Sequence, residues 1–460
     1  MKRFVAIFWM LSFAICAGAQ WLDSDVYDRP LEDVLDDIRK TYNVQLTYKE
    51  KNVRNVIVKS APWRFAIDVE TTLDNVLTPL DFVALKKGEG KYEIKKWEYF
   101  RQSAEEGAAQ LEALWSQYGS IAAWEQRKAD IRNNIITVTG LDRFPRNRIN
   151  VRETAPRDYG RYSVRNMALE IMPGVWVCGS LYTPAGLKGK VPFMMCPHGH
   201  FYNKVDNSIP DERGRYRPEQ QYRCACLAMM GAAVFSYDMW AWGESALAFN
   251  LKDHRTDLGL VMQTLQSSRI LDYFCGQKWV DVERVGVTGA SGGGTQTMIV
   301  AAIDDRIKLS VPVVMCSSHF YGGCPCESGL PIHIIPGQQR SNNAELTAMM
   351  APKPVLVVSD GHDWTSSVPD IEYPYLTKVY GLYGARGNVE NAHFKSEGHD
   401  YGESKRAAMY DFVARHWNLK EASEKDCVIE NAAQMYVFDG SLPEGAIVGS
   451  GKLREIISKY

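Results

Sequence analysis

The sequence predicts an α/β fold: a doubly wound, mostly parallel sheet preceded by a small α+β domain. Three observations predict it. Short apolar runs of buried-strand length recur between residues 168 and 359, with helical stretches between most of them. That alternation is what covers both faces of a parallel sheet with helices. One run, Arg284–Thr288, feeds the turn Gly289-Ala290-Ser291-Gly292-Gly293, and Thr295–Ile303 beyond it is small and apolar at helical spacing. Residues 25–97, finally, repeat a helix-then-strand pattern of their own.

At 460 residues the chain suits two or three domains rather than one core. A hydrophobic share of 45% and a charged share of 23% are those of ordinary globular protein. A net charge of −2 supplies no basic field, which argues against nucleic acid as a partner.

Residues 1–19 read as a secretory signal. Lys2 and Arg3 give a basic start, Phe4–Cys16 an apolar centre, and Ala17-Gly18-Ala19 a small-residue cleavage site. The stretch is too short and wrongly flanked for a stable span, so a cleaved, periplasmic or secreted protein without a membrane span is expected.

In residues 25–97, Leu31, Val34, Leu35 and Ile38 share one helical face, and strand-like Val44–Tyr48 follows. Val53–Val58 reads as a further strand. A second copy runs through Ile67, Leu73, Val76, Leu77 and Leu80, then Phe82–Lys86 and Tyr92–Lys96 about the turn Gly88-Glu89-Gly90. Residues 98–140 read as helix, from Leu111, Leu114, Trp115, Trp124, Ile131 and Ile135, and 142–158 as an irregular connection. Strands are predicted at Ala168–Ile171, Trp176–Tyr182, Phe193–Cys196, Ala233–Tyr237, Arg284–Thr288, Leu309–Met315 and Val355–Ser359. The domains are then 25–97, a catalytic unit over 98–423, and a C-terminal extension over 424–460.

Strand, sharp turn and helix around Gly289–Gly293 are the setting in which a Gly-x-Ser-x-Gly serine becomes a nucleophile. Its strained backbone needs glycine neighbours and aims N–H groups at the oxygen that gains charge. Ser291 is therefore the expected nucleophile. It needs a base, and an acid to orient that base. The apolar run Pro354–Ser359 ends in Asp360-Gly-His-Asp363, which offers Asp363 as the acid, with Asp360 capping the turn. His399, in the loop before a helix over Glu403–His416, is the expected base, and His393, inside a strand-like run, its rival. The loop after Phe193–Cys196 carries His198-Gly199-His200, so Gly199 and His200 join Gly292 as the expected oxyanion site.

Cys178, Cys196 and Cys316 read as small buried hydrophobes. Cys224-Ala-Cys226 and Cys324-Pro-Cys326 have one-residue spacing, unlike the two to four residues between structural zinc ligands. His198 and His200 have no third histidine or carboxylate near them in sequence. No metal and no other cofactor are expected.

Five segments together resemble the α/β-hydrolase carbohydrate esterases, the group that includes acetyl xylan esterases and bacterial pectin methylesterases. They are His198-Gly-His200; Tyr237-Asp238-Met239 with Trp242-Gly243; Gly289-Ala-Ser291-Gly-Gly-Gly294; Gly323-Cys-Pro-Cys-Glu327; and Asp363-Trp364-Thr365. The resemblance covers roughly residues 110–420 and implies Ser291 as nucleophile, His399 as base and Asp363 as acid. Glu327 stands as the alternative acid, because some related esterases carry it after the sixth strand. Residues 25–97 resemble the short N-terminal domain of secretins and TonB-dependent receptors, which implies contact with a protein partner.

The expected activity is removal of methyl or acetyl esters from plant cell-wall polysaccharide or its oligosaccharides. A uronate-rich substrate would suit arginines, and Arg213, Arg215, Arg217, Arg223, Arg255 and Arg340 are candidates, Arg255 foremost. His198, Trp240, Trp242 and Trp364 are candidate sugar contacts. Two other readings are a peptidase of the same fold and a non-catalytic periplasmic glycan- or protein-binding protein. The intact Ser291, His399 and Asp363 set argues against the last.

Overall fold

Side chains alternate across a strand, so a buried strand must be apolar on both faces, and these strands are. In the computed structural model, Phe193 and Met195 enter one core while Met194 and Cys196 enter the other. Val355 and Val357 divide in the same way from Leu356 and Val358. Residues 27–80, 82–96, 100–200, 214–328 and 330–460 are described. The secretory signal expected at 1–19 and Arg213 lie outside them.

The chain divides into two units, residues 1–98 and 99–460. In the first, strands β1 (Arg29–Pro30) and β3 (Ile57–Val58) pair antiparallel, and β2 (Gln45–Thr47), β5 (Lys91–Lys96) and β4 (Phe82–Gly88) form a three-stranded sheet in that order. The helices Leu31–Tyr42 and Val69–Leu77 bury the predicted faces, Leu31, Val34, Leu35 and Ile38 on one and Leu73, Val76 and Leu77 on the other. Two details differ from expectation. Val53 ends a short helix, Glu50–Val53, so the strand is confined to Ile57–Val58. Ile67 is fully exposed, ahead of the second helix rather than on its buried face.

The second unit is built on a ten-stranded sheet. Its strands are β6 (Val151–Glu153), β7 (Arg157–Asp158), β8 (Tyr162–Met172), β9 (Val175–Pro184), β10 (Val191–Pro197), β11 (Ala233–Tyr237), β12 (Val280–Ala290), β13 (Leu309–Val313), β14 (Val355–Asp360) and β15 (Val389–Phe394). They lie in the order β15-β14-β13-β12-β10-β11-β9-β8-β6, with β7 beside β8. Strands β10 to β15 run parallel, and β6 to β9 form an antiparallel flank. The sheet has the α/β-hydrolase arrangement, with helices such as Pro218–Met230, Leu258–Cys275 and Gly292–Ile303 as crossovers.

The segment 142–158, expected to be irregular, contributes β6 and β7, which pair with β8 and so cover its edge. Residues 98–140 form two helices, Ala104–Trp115 and Ile121–Thr139, each capped by a serine side chain, Ser103 and Ser120. The final residues are no separate extension. Leu453 and Met435 are fully buried, and Arg157 pairs with Glu430 at 2.6 Å. No helix among the described residues is long and apolar enough to cross a membrane.

Candidate active site

In a parallel sheet the loops at the carboxyl ends of the strands diverge and leave a crevice, and every candidate catalytic group lies there. His198–His200 follow β10, Ser291 follows β12, Glu327 lies beyond β13, Asp363 follows β14 and His399 follows β15.

Ser291 sits at φ 54°, ψ −120°, a strained conformation for a residue with a Cβ. The glycines around it permit the crowding this requires. A Cβ on Gly293 would lie 2.4 Å from the Pro197 carbonyl oxygen, and one on Gly289 2.6 Å from the same atom. The turn therefore packs directly on the end of β10. A Cβ on Gly199 would stand 2.7 Å from the Ala290 carbonyl oxygen and 3.3 Å from Ser291 Cβ, so the loop after β10 passes close by the nucleophile. Gly292 opens the helix Gly292–Ile303, where the first N–H groups have no partner within the helix and face outward.

His399 Nδ1 donates to Asp363 Oδ2 at 2.6 Å, and the Asp363 side chain is buried while the imidazole is a third exposed. Asp363 Oδ1 meanwhile accepts from both the N–H and the hydroxyl of Thr365, each at 2.6 Å. Both carboxylate oxygens are thus committed, and the imidazole carries its proton on Nδ1, leaving Nε2 as the base. Trp364, half-buried and stacked on Phe320 at 4.0 Å, lies against His399 with ring centroids 4.5 Å apart. His393, the rival base, is tied into the sheet by a 2.9 Å contact with Ser359 Oγ.

Glu327 serves a different histidine. Its Oε1 accepts from His200 Nδ1 at 2.7 Å and its Oε2 from the Gly323 N–H at 2.9 Å. Burial would push this carboxyl up. The neighbouring His200, the Gly323 N–H and the nearby His399 outweigh burial and hold it at about 2. The Ser291 hydroxyl donates to Glu327 Oε1 at 3.4 Å, and among the described residues it makes no hydrogen bond to His399. Such bonds often tighten only when substrate is bound.

Sequence reasoning missed Lys405. This buried lysine donates to Asp360 Oδ2 and Asp400 Oδ1, each at 2.9 Å, and also to the Gly398 carbonyl. It clamps both flanks of His399 to the end of β14. Burial opposes its charge, but Asp400 and Asp360 prevail and raise its pKa. A lysine inside an amphipathic helix reads as surface in sequence, so no signal there marked it.

Several expected substrate contacts are corrected. Trp240 and Trp242 are 0% and 1% exposed, so neither has a free face for a sugar ring. Trp240 packs on Phe249 at 3.9 Å, and Trp242 on the imidazoles of His198 and His254. His198 is also buried. It donates from Nδ1 to the Gly199 carbonyl and accepts the Met239 N–H on Nε2, and burial lowers its pKa to about 4, so it is a neutral strut of the loop. Arg215 is fully buried between Asp238 and Glu244, each at 2.8 Å. Arg223 is buried over the Tyr401 ring, Arg217 pairs with Glu219, and Arg340 lies over Phe100. Arg255 remains exposed, next in the chain to His254.

Cys178, Cys196 and Cys316 are buried, as expected of small hydrophobes. Cys324 and Cys326 form a disulfide at His200. Spacing along the chain argued against a metal here, but the fold brings His254, 54 residues on, to His200 as well. His200, His254, Cys324 and Cys326 offer ligand atoms within 4.8 Å of one another.

Sheet, elbow serine and Asp363–His399 pair define the class, an α/β-hydrolase. Comparison with known proteins narrows it. The family model described as acetyl xylan esterase (AXE1) matches residues 262–322, the span holding β12, Ser291 and β13. The solved structure of Methylesterase BT1017 is 39% identical, covers 94% of this chain and 96% of its own, and superposes with a TM-score of 0.80. YtaP of Bacillus subtilis (strain 168), named only as a hydrolase, is 28% identical over 171 residues. That match spans 35% of this chain and 56% of YtaP. A glucuronoyl esterase from Solibacter usitatus is 15% identical, over 65% of this chain and 94% of its own, with a TM-score of 0.48. The chain belongs to the family of Methylesterase BT1017 and, by family, is a carboxylic ester hydrolase.

Proposed function

We propose that the chain is an exported serine esterase that removes methyl esters, in preference to acetyl esters, from a uronate-containing plant cell-wall polysaccharide such as pectin. The likeness to Methylesterase BT1017, nearly end to end, carries this reading. The Asp363–His399 pair and the strained Ser291, all in loops at the carboxyl ends of the strands, support the mechanism.

In that mechanism His399 Nε2 takes the Ser291 proton as Oγ attacks the ester carbonyl. Charge gathers on the carbonyl oxygen, where the N–H groups of Gly292 and of the Gly199–His200 loop receive it. The His399 imidazolium, held by Asp363, then protonates the departing methoxide and methanol leaves. Water, deprotonated by His399, attacks the uronyl ester of Ser291 and frees the carboxylate and the serine. For an acetyl ester the roles reverse: acetyl stays on Ser291 and the sugar leaves. No cofactor enters these steps.

Residues 1–19 direct export in this proposal, and 25–97, which resemble a protein-contact domain, attach the enzyme to a protein partner rather than serve the chemistry. Trp364 and Arg255 are the remaining candidates for substrate contact. The deciding experiment measures methanol from methylated pectin against acetate from acetylated xylan under identical conditions. Methanol release at a higher kcat/KM supports the proposal. Acetate release alone refutes the methyl preference, and neither product, with 4-nitrophenyl acetate also untouched, refutes the esterase reading.

A further inference from the structure

Beside Ser291, four soft donor atoms converge where esterase chemistry has no use for them. His200 Nε2 lies 2.5 Å from His254 Nε2, 3.0 Å from Cys326 Sγ and 3.6 Å from Cys324 Sγ. The four residues come from three loops, and His254 and both cysteines are buried.

The outer nitrogens of the two rings fix what the inner ones present. His200 Nδ1 faces the Glu327 carboxylate at 2.7 Å, and His254 Nδ1 faces the Trp240 carbonyl at 2.7 Å. Each of those oxygens can only accept, so each Nδ1 carries its proton and each ring turns its Nε2 inward. Two Nε2 atoms 2.5 Å apart need a cation, a proton or a metal ion, to share. A proton would serve that one nitrogen pair, whereas a metal ion serves all four donors. Imidazoles oriented by a carboxylate and by a backbone carbonyl are also the usual surroundings of metal-bound histidines.

We propose that, with Cys324 and Cys326 in the dithiol form, His200, His254, Cys324 and Cys326 bind one divalent ion of the zinc class, and that the disulfide excludes it. A tetrahedral zinc site, with bonds of about 2.0–2.1 Å to nitrogen and about 2.3 Å to sulfur, spaces its ligands roughly 3.3–3.8 Å apart. The ring nitrogens need to part by about an ångström, and the sulfurs need to separate. The chemistry balances. A dithiol reductant gives two electrons and two protons to the disulfide and is itself oxidised to a disulfide. The ion then displaces both thiol protons, leaving two thiolates and two neutral imidazoles around one dication. All four positions are filled by protein, so the ion holds structure and binds no water. It would lock the Gly199–His200 loop, since a Cβ on Gly292 would already lie 2.9 Å from His200 Cε1. The inference concerns ligand chemistry and stands apart from the substrate proposed above.

The test uses the full chain purified with and without a dithiol reductant, its thiols counted by alkylation and mass spectrometry. Each form is incubated with zinc, freed of unbound ion by gel filtration, and assayed by elemental analysis. About one zinc per chain is expected in the reduced form and none in the disulfide form. Cobalt in place of zinc should give the reduced form a thiolate-to-metal charge-transfer band. The Cys324→Ser/Cys326→Ser variant should lose both signals. If that variant does not fold, comparison of the two wild-type forms still decides. The proposal is overturned by a reduced chain with both thiols free and no bound zinc, by zinc undiminished in the folded double variant, or by a disulfide that resists reduction in the folded chain.

Discussion

Two carboxylates flank the candidate site, and the geometry assigns them different histidines, so exchanging each for its amide should separate them. Consider Asp363→Asn. Oδ1 of this residue receives two donors from Thr365, so the amide oxygen must stay on that side. The amide NH2 then turns toward His399 Nδ1, where the native oxygen accepts a proton at 2.6 Å. Two donors cannot face each other, so the imidazole moves its proton to Nε2 and ceases to be a base for Ser291. Loss of the carboxylate also removes the partner of the imidazolium. An acid-to-amide change of this kind costs roughly 10²- to 10⁴-fold in rate, about 2.7–5.4 kcal/mol of barrier. Glu327→Gln keeps an oxygen for the Gly323 N–H and strikes His200 rather than His399, so its loss should stay within roughly tenfold. The assay is kcat/KM on 4-nitrophenyl acetate, with circular dichroism to confirm folding. A folded Asp363→Asn protein with near-native turnover, beside a crippled Glu327→Gln, would refute the assignment and give the acid role to the earlier loop.

Ser291→Ala should abolish turnover, by about 10³-fold or more, and His399→Ala should do comparable damage because nucleophile and base act as a unit. Folded variants that keep activity, or a fatal His393→Ala beside a mild His399→Ala, would displace these assignments. Acid should destabilise the fold through its buried neutral histidines. Burial lowers His198 from 6.5 to about 4 and His333 to about 3. Below pH 6.5 the unfolded chain therefore binds more protons than the folded one, so the stability these two contribute is full above pH 6.5 and is lost as pH falls toward 4. Two such groups give a slope of about 2.7 kcal/mol per pH unit near pH 5. Urea midpoints measured between pH 7 and pH 4.5 check it, and a midpoint that holds or rises on acidification contradicts it.

Much of this architecture was legible because it is local. Continuous apolar runs marked the central strands, with Ala233–Tyr237 matching to the residue and Val355–Ser359 to within one. Glycines at 289 and 293 announced a turn that only small residues permit, and the order serine, acid, histidine is the one the α/β-hydrolase resemblance implies. What stayed hidden was contact across the chain. Trp240 and Trp242 look like sugar platforms until the sheet and the loop after β11 enclose them. Cys324-Pro-Cys326 gives no hint in sequence of the two histidines from distant segments that the fold sets beside it. Lys405 reads as a surface residue of a helix until three acceptors, from the end of β14 and the loop after β15, close on it. Edge strands β6 and β7 are too short to show a period, and their existence depends on pairing with β8.

The C-terminal residues show how such distant contact reaches the chemistry. A Cβ on Gly243 would lie 2.1 Å from Asp238 Oδ1, so only glycine lets the chain fold back to place the Glu244 N–H on that carboxylate at 3.0 Å. Arg215 joins Asp238 to Glu244 and donates to the Met435 carbonyl at 2.7 Å, while Glu244 accepts the N–H groups of Val437 and Phe438 at 2.9 and 2.8 Å. The tail therefore completes a buried charged network around the loop after β11. That loop in turn gives the Met239 N–H to His198, whose backbone carries Gly199 past Ser291. Removing one partner of a buried charged group costs about 3–5 kcal/mol. Glu244→Ala should accordingly lower the unfolding free energy by an amount in that range, read from urea midpoint and slope, and reduce kcat more than it raises KM, because the loop near the oxyanion loses its support. A chain ending at residue 423 should be worse still, failing to fold or failing to turn over 4-nitrophenyl acetate. A truncated protein with native stability and native kcat would show that the network is an ornament of the surface and that the loop after β10 is held by the sheet alone.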